Sequence, residues 1–234
     1  MIEVEKIWTG NFEGAIRGMR NPKKSWEKSD SFYDVDSLFD FLLDNPGMER
    51  ENLKSALAEP SRWYHVGDKD LALMQSLYHA GPEHRKFMRQ IFVSMDITAP
   101  LYWWKEFDTY KVGTTADSES TMHTIHQKEF KPEDFSHEHL DEYGVTMLDN
   151  IIDSLNENRF YYAKEAEPLG KKDYWWQMIQ VLPSSYNQKR TVTFNYENAV
   201  NIIHQRSNHK LDEWREFCEI LLNELPYLKD IMEV

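Results

Sequence analysis

The stretch VLPSSYNQKRTVTFNYENAVNIIHQR, residues 181–206, decides the fold. Within it Thr191–Phe194 consists of three β-branched residues and one aromatic residue, a composition typical of an extended strand. Asn195 follows, and asparagine is a favoured helix N-cap because its side-chain oxygen accepts a free backbone N–H. The residues after Asn195 predict a helix that ends near Arg206. The stretch therefore predicts a strand followed directly by a capped helix.

The residues after this unit predict a second helix with a buried face. Apolar side chains recur at helical spacing from Leu211 to Leu225 and include Cys218, the single cysteine of the chain. One cysteine cannot form an internal disulfide, which agrees with a reducing compartment. Core packing is the expected role of Cys218.

Toward the amino terminus, strand and helix patterns alternate. Ile2–Ile7 predicts a strand, and Phe87–Ile97 predicts a buried strand, although its pattern also allows a helix. Asp68 and Thr98 are expected to cap helices, with Pro100 in the first turn of the second. The remaining predicted helices are Phe12–Arg20, one near Asn52–Ala58, His137–Ala166 and Asp173–Leu182. About three strands among about seven helices predict a single α+β domain over residues 1–234.

Two segments lack a clear period. About residues 23–67 are polar and acidic, and they predict an elaborated surface segment. Residues 112–121 are small and polar, and they predict a loop with many hydrogen-bonding groups.

The composition limits the class of protein. The chain has 234 residues, 41% of them apolar, which is enough for a substantial core. Its 40 acidic and 27 basic side chains give a formal charge of -13, which opposes binding to nucleic-acid polymers and to anionic membranes. The first residues lack the features of a signal peptide, and no apolar run approaches the roughly 20 residues of a bilayer span. A cytoplasmic protein is expected.

Common cofactor and metal motifs are absent from the sequence. There is no Gly-x-Gly-x-x-Gly, no Walker phosphate loop, no His-Glu-x-x-His and no paired Cys-x-x-Cys. The densest histidine group, with acidic neighbours, has no spacing typical of metal ligands. Solvated or substrate-facing side chains and no metal are expected there, with a metal site as the alternative. This group comprises His123, His126, His137 and His139.

Several motifs, in chain order, resemble those of flavin-dependent thymidylate synthases (ThyX). Gly81-Pro-Glu-His84 resembles the family's Ser/Thr-Pro-x-Glu-His motif, which opens a strand. Residues 99–111 resemble the helix that ends in Arg-His-Arg, and residues 112–121 resemble the signature loop after it. Val181-Leu-Pro183 and the spacing of Asn195, Asn201 and Arg206 are similar to the later Leu-Pro, Asn, Asn and Leu-x-Leu-Arg elements. The resemblance implies an α+β domain of the ThyX type, with a small antiparallel sheet flanked by several helices.

The resemblance also implies an activity. Family members are FAD-dependent enzymes that reductively methylate a pyrimidine deoxynucleotide, and conversion of dUMP to dTMP is the first expectation. Methylenetetrahydrofolate and NADPH are the implied co-substrates, and a homotetramer is the implied assembly. The pairs Trp103-Trp104 and Trp175-Trp176 suit subunit contacts, with core packing as the alternative.

Individual residues receive roles from the same resemblance. Arg206 would be catalytic, because a guanidinium keeps its charge and can stabilise negative charge that develops on the pyrimidine. The substrate-binding residues would be Glu106, Lys111, Ser118, Ser120, Lys189, Arg190 and Arg206. The cofactor-binding residues would be His84, Lys111, Thr114, Asp117, Asn195 and Asn201. Structural alternatives stay open: a helix cap for Asn195, a turn residue for His84, a helix-end arginine for Arg206, and loop or surface residues for the others.

The signature loop departs from the family pattern. Thr109-Tyr110-Lys111 stands in place of Arg-His-Arg, and Met122-His123 in place of a closing Arg-Tyr, so at least two guanidinium groups are missing. Charge-assisted hydrogen bonds contribute about 1.5–3 kcal/mol each, so this loss weakens anion binding about 10²- to 10⁴-fold unless other cations compensate. Glu106 replaces a glutamine and suits an amino-bearing base. A dCMP-modifying enzyme and a catalytically diverged nucleotide-binding or interaction protein are therefore the alternatives.

Overall fold

The computed structural model describes residues 2–58, 60–164 and 169–233. It confirms an α+β fold with a small antiparallel sheet and several helices. The strands are β1 (Glu3–Gly10), β2 (Phe32–Tyr33), β3 (Tyr64–His65), β4 (Phe92–Pro100), β5 (Thr115–Ser118) and β6 (Asn187–Asn195). The helices are α1 (Phe12–Arg20), α2 (Val35–Asp44), α3 (Arg50–Leu57), α4 (Asp68–His79), α5 (Leu101–Phe107), α6 (Thr121–Thr124), α7 (Glu142–Lys164), α8 (Lys171–Val181), α9 (Tyr196–Arg206), α10 (Asp212–Glu224) and α11 (Leu228–Met232).

Two sheets are formed. The larger has four strands in the order β1-β4-β6-β5, and β2 pairs with β3 in a separate antiparallel ribbon. In the ribbon Phe32 pairs with His65, and Tyr33 pairs with Tyr64. Strand β6 ends at Asn195 and α9 begins at the next residue, so the predicted strand, cap and helix unit is confirmed.

The described residues group into two compact units. The first takes in residues 2–5, 96–110 and 116–191, and the second takes in residues 6–95, 111–115 and 192–233. Four of the five points of division lie inside β1, β4, β5 and β6, so each of these strands contributes residues to both units, and the fifth lies between Tyr110 and Lys111. A single domain over residues 1–234 stays a prediction.

The first unit has a core around α7 and α8. Its buried members are Ile125, Phe130, Phe135, Leu148, Ile152, Leu155, Met178 and Tyr186. Trp103 and Trp104 of α5 are fully buried, so this pair packs in the core and offers no surface to another subunit. Trp176 of α8 is exposed, and Trp175 donates its indole N–H to the Met122 carbonyl at 3.0 Å.

The second unit has an aromatic core. The Phe12 ring lies 5.7 Å from the Tyr196 ring and 5.8 Å from the Tyr227 ring, both in edge contacts. Trp214 and Cys218 of α10 are buried, as the helical spacing predicted. Burial raises the pKa of the Cys218 thiol to about 12, so the reactive thiolate does not form near neutral pH.

A buried ion pair joins α1 and α4 to the acidic segment. Arg20 Nε donates a hydrogen bond to Asp70 Oδ1 at 2.6 Å. The second carboxylate oxygen of Asp70 accepts the hydroxyl hydrogens of Ser29 at 2.6 Å and Ser31 at 2.7 Å. Because both charged side chains are almost wholly buried, this pair anchors the acidic segment at residues 29–31.

The cap of α4 differs from the prediction. Asp68 is the first helical residue and Gly67 is the N-cap, which has no capping side chain. The carboxylate of Asp30 accepts the backbone N–H groups of Lys69 at 3.0 Å and Asp70 at 3.1 Å. The capping group therefore comes from about 40 residues earlier in the chain, which a local pattern cannot indicate.

The boundaries of β4 and α5 also differ. Residues 85–90 form a 3-10 helix, so the predicted strand Phe87–Ile97 begins too early, and β4 runs from Phe92 to Pro100. Thr98 lies within β4 and does not cap α5, whose N-cap is Pro100. The physical reason is that alternate residues of β4 stay buried as far as Ala99, which extends the strand through the predicted cap.

Two further predictions of local structure need correction. The predicted loop of residues 112–121 contains β5, and Ser120 caps α6 by accepting the His123 N–H. The helix predicted over His137–Ala166 begins later, at Glu142, and Ala166 lies outside the described residues. The acidic segment contains the predicted short helix, α3, and a second helix, α2, that its weak period did not indicate.

Candidate functional site

In the second unit, the amino terminus of α9 holds the first residues of the signature loop. Asn195 caps the helix by accepting the Asn198 N–H at 3.1 Å. The Asn198 side chain donates a hydrogen bond to the Val112 carbonyl at 2.8 Å. Asn195 is therefore a helix cap, and together the two asparagines place residues 111–115 beside the end of β6.

Gly113 permits this close approach. Its φ of 76° lies in the left-handed region, which favours glycine. A Cβ at this position would lie 2.8 Å from Asn195 Nδ2 and 3.0 Å from Asn198 Oδ1. The loop can pack on the asparagines in this way only because residue 113 has no side chain.

Two predicted site residues flank Gly113. Lys111 is exposed. The Thr114 hydroxyl is buried, and it has no hydrogen-bond partner within the described part of the chain. An unsatisfied buried hydroxyl is costly, so Thr114 has hydrogen-bonding capacity for a ligand at this loop.

His84 lies beside a cavity in the same unit. The cavity has a volume of about 470 Å³, and its lining combines polar groups with Met19, Leu77 and Phe87. His84 is exposed, and Glu83 and Lys86 contribute opposite charges to the rim. The cavity is large enough for a planar aromatic ring system, and it offers both apolar contacts and hydrogen-bonding groups.

Asn201 and Arg206 complete the predicted set on α9. Asn201 is exposed in the middle of the helix. Arg206 is half-buried in the last turn, and its guanidinium lies 4.8 Å from the centre of the Trp214 ring. At about 1.5 Å per residue, Arg206 lies about 16 Å along the helix axis from Asn195. The asparagine cap and the Arg206 guanidinium therefore lie at opposite ends of α9.

In the first unit, Arg190 is held by neighbours of the same chain. Its Nε donates to Gln188 Oε1 at 3.0 Å, and its Nη1 donates to Asp108 Oδ1 at 2.8 Å. Its guanidinium also lies 4.3 Å from the centre of the Trp104 ring. This cation–π contact and two hydrogen bonds fix the orientation of Arg190.

Lys189 is also engaged. Its Nζ donates to Glu5 Oε2 at 2.6 Å and lies 3.8 Å from Asp96 Oδ2. The hydrogen bond to Glu5 and the nearby carboxylates raise the pKa of Lys189. Both residues lie on β6 and not in an exposed loop, which corrects the structural alternative for this pair.

A cavity beside Lys189 is acidic. It has a volume of about 220 Å³ and is lined by four carboxylates and two lysines, together with Thr98, Tyr186 and Asn187. The charged residues are Glu3, Glu119, Glu133, Asp134, Lys128 and Lys189. Lys128 is paired with Asp134 at 2.8 Å. This balance of charge opposes a phosphate in the cavity and favours a ligand with hydrogen-bond donors.

The remaining predicted residues of the first unit lie in α5 and in the second half of the signature loop. Asp117 and Ser118 are exposed on β5, and the Ser120 side chain is occupied as the cap of α6. Glu106 is half-buried near the end of α5. The first unit therefore holds Glu106, Asp117, Ser118, Ser120, Lys189 and Arg190, and the second holds His84, Lys111, Thr114, Asn195, Asn201 and Arg206.

Three residues that matter to this geometry were missed. Asn198 has a sequence signal, because a polar side chain three residues after the N-cap is the position from which a capping box bonds back to the N-cap N–H. Asp108 and Trp104 hold Arg190 across a long sequence separation, and no local pattern indicates that contact.

The described residues form neither a metal-ion site nor a membrane-spanning helix. Among residues 2–58, 60–164 and 169–233, no group of three or more His, Cys, Asp or Glu side chains is arranged to hold a metal ion. None of the helices in this part of the chain has the length and apolar character needed to span a membrane.

Comparison with known proteins identifies the fold. No protein-family model matches the sequence, and no curated protein shows significant similarity to it. One solved structure, thymidylate synthase X (ThyX) from Helicobacter pylori with FAD and dUMP, matches with a TM-score of 0.63 and 16% identity over 99% of this chain and 97% of that chain. A second structure of the H. pylori enzyme with FAD and dUMP matches with a TM-score of 0.61 and 14% identity over 97% of both chains. The chain therefore has a remote ThyX-like fold.

Proposed function

We propose, from this ThyX-like fold, that the chain binds FAD and a pyrimidine deoxynucleotide and reductively methylates the pyrimidine. The first candidate reaction is dUMP to dTMP, with methylenetetrahydrofolate as the carbon donor and NADPH as the reductant. The observation that carries the proposal is the match along almost the whole chain to an enzyme solved with FAD and dUMP.

The neutral hydrogen-bonding side chains of Thr114 and Asn201 in the second unit suit the polar edge of a flavin ring better than a diphosphate. The Thr114 hydroxyl is buried without a partner among the described residues, and Asn201 is exposed, so both can exchange hydrogen bonds with the polar edge of a ring. Lys111, three residues before Thr114, and Lys86, on the cavity beside His84, are the cations proposed for the phosphate groups of FAD. FAD, when bound, would supply a hydride, while these residues would bind and orient its ring.

Arg206 would act on the nucleotide. A guanidinium that donates two hydrogen bonds can hold an anionic pyrimidine oxygen, and contact with Trp214 limits its motion. Arg206 stands about 16 Å along α9 from the asparagine end. The proposed assembly is a homo-oligomer such as a tetramer, in which the two ends of α9 at one site would come from different copies.

The first test is flavin binding. The purified protein should be yellow or should take up added FAD, and Asn201→Ala should weaken this uptake. Asn150→Ala is the matched control, because Asn150 is an exposed asparagine on a different helix, α7. A colourless protein that takes up no FAD would contradict the proposal.

The second test is turnover. With FAD, methylenetetrahydrofolate and NADPH present, dUMP should be converted to dTMP, and Arg206→Ala should abolish this conversion. Arg50→Ala is the control, because Arg50 is an exposed arginine in α3. Equal turnover by Arg206→Ala and the parent would remove Arg206 from the site.

Two alternatives are each favoured by an observation. Lys189 and Arg190 are already paired with Glu5 and Asp108, which favours a protein that keeps the fold for nucleotide binding or protein interaction without catalysis. Glu106 favours an amino-bearing base, so dCMP is the second substrate to assay. FAD binding without turnover of either nucleotide would select the first alternative.

A further inference from the structure

Helix α2 carries an apolar stripe that is largely exposed in the described part of the chain. Val35, Phe39 and Leu43 stand four residues apart, so they occupy an arc of about 80° on one side of the helix. Their exposed fractions are 53%, 61% and 72%. None of the residues of α2 is buried. A solvent-exposed phenylalanine and leucine at helical spacing are typical of a contact surface.

The opposite side of α2 fixes the helix to the second unit. Asp34 caps it by accepting the Ser37 N–H at 2.9 Å, and the Asp34 N–H donates to the Trp63 carbonyl at 2.7 Å. The Phe41 ring lies 5.3 Å from the Trp63 ring and 4.7 Å from the Arg62 guanidinium. Contacts of Asp34 and Phe41 therefore fix α2 in place, and the apolar stripe takes no part in those contacts.

An acidic stripe runs beside the apolar one. Asp36, Asp40 and Asp44 each follow a stripe residue by one position, so they occupy the adjacent side of the helix. None of these three carboxylates forms an ion pair or hydrogen bond with another described residue. From Asp30 to Glu51 there are seven acidic side chains and one basic side chain. The contact surface is therefore apolar along one edge and strongly negative along the other.

We propose that this face of α2 binds a basic amphipathic helix of a partner protein. The partner would place apolar side chains against Val35, Phe39 and Leu43, and lysines or arginines beside the three aspartates. A second copy of the chain is disfavoured, because the same face would bring aspartates against aspartates in a chain of net charge -13. An anionic membrane is disfavoured for the same reason. The proposal is independent of catalysis.

The experiment uses the full chain and three labelled peptides. The probe is a helical peptide of repeated Leu-Lys-Ala-Ala, with leucines and lysines at four-residue intervals. The first control peptide has glutamate in place of each lysine, and the second has the composition of the probe in an order without helical period. Fluorescence anisotropy at low and high salt should show binding of the probe alone, and salt should weaken it.

Variants locate the binding. The double variant with Phe39→Ala and Leu43→Ala should raise the Kd of the probe at least about tenfold, which is the scale expected when aromatic and aliphatic side chains at the centre of an interface are truncated. Phe160→Ala is the matched control, because Phe160 is a half-exposed phenylalanine on α7. Changing Asp36, Asp40 and Asp44 to asparagine should weaken binding and remove most of its salt dependence. Unchanged circular dichroism would show that each variant is folded.

Three results would overturn the proposal. The first is no binding of the probe at millimolar concentration, and the second is equal binding of all three peptides. The third is self-association of the parent chain that disappears in Phe39→Ala with Leu43→Ala by sedimentation, which would assign the stripe to a second copy.

Discussion

Replacement of Asp70 by asparagine should destabilise the protein strongly, because it leaves a buried guanidinium without its counter-charge. The side chains of Arg20 and Asp70 are 5% and 0% exposed, and their closest atoms are 2.6 Å apart. Removal of one partner of a buried ion pair costs about 3–5 kcal/mol, most of it the penalty of the charge left behind.

The other partners of Asp70 place the effect in that range. Oδ2 accepts hydrogen bonds from two hydroxyls, of Ser29 and Ser31, and from two backbone N–H groups, of Asp30 and Ser31. An asparagine can offer one acceptor oxygen and must turn an NH2 group toward the other donors. We expect a loss of about 3–5 kcal/mol, which lowers Tm by about 6–20 °C in a chain of this length.

The assay is thermal and urea unfolding followed by circular dichroism. Asp68→Asn is the matched control, because Asp68 lies in the same first turn of α4 but is exposed, and it should stay within about 0.5 kcal/mol of the parent. Arg20→Gln combined with Asp70→Asn should cost less than the sum of the single changes. A loss below about 1 kcal/mol for Asp70→Asn would refute the reasoning.

Acid provides an independent check on the same pair. Burial alone would raise the pKa of Asp70, but hydrogen bonds from Ser29, Ser31 and Arg20 outweigh burial and lower it. The contribution of Asp70 to stability is therefore complete above its unfolded-state pKa of about 4 and is lost as the pH falls through the lower folded-state pKa. The difference in stability between the parent and Asp70→Asn should shrink below about pH 4.

The remaining predictions concern the signature loop, Arg190 and the cysteine. Gly113→Ala should lower the free energy of unfolding by about 1–2 kcal/mol through its left-handed backbone and contact with the asparagines, whereas Gly47→Ala, in open space, should change little in urea unfolding. Asp108→Asn frees Arg190 and should tighten dUMP binding by about two- to fivefold in calorimetry, and weaker binding would mean that Arg190 needs Asp108 for its position. Cys218 should not react with a disulfide reagent in the folded protein at pH 8 but should react fully in urea, because burial raises its pKa to about 12.

The strand, cap and helix around Asn195 could be predicted because each element depends on residues next to it in the sequence. An asparagine after a β-branched strand satisfies a backbone N–H three residues later, and that bond is 3.1 Å long. The face of α10 that includes Cys218 has the same local basis, since helical spacing alone places its apolar residues together.

The features that could not be predicted depend on partners far away in sequence. Strand β5 has no buried side, so its residues show no alternation of apolar and polar side chains. Its pairing depends on a distant strand: the adjoining Glu119 N–H donates a hydrogen bond to the Lys189 carbonyl at 3.0 Å. Asp30 caps α4 across 39 residues, and Asp108 holds Arg190 across 82. Sequence could indicate the residue types for anion binding, but not that two of the cations already have carboxylate partners.

This internal pairing sets a condition on any nucleotide that binds the first unit. A phosphate that takes Arg190 from Asp108 exchanges one charge-assisted hydrogen bond for another and leaves a carboxylate behind, so the net gain is small. Lys189 faces the same exchange with Glu5, beside a cavity with four carboxylates. The replacement of Arg-His-Arg by Thr109-Tyr110-Lys111 acts in the same direction. The affinity of the first unit for a nucleotide must therefore come mainly from neutral hydrogen bonds, and its dependence on salt should be shallow.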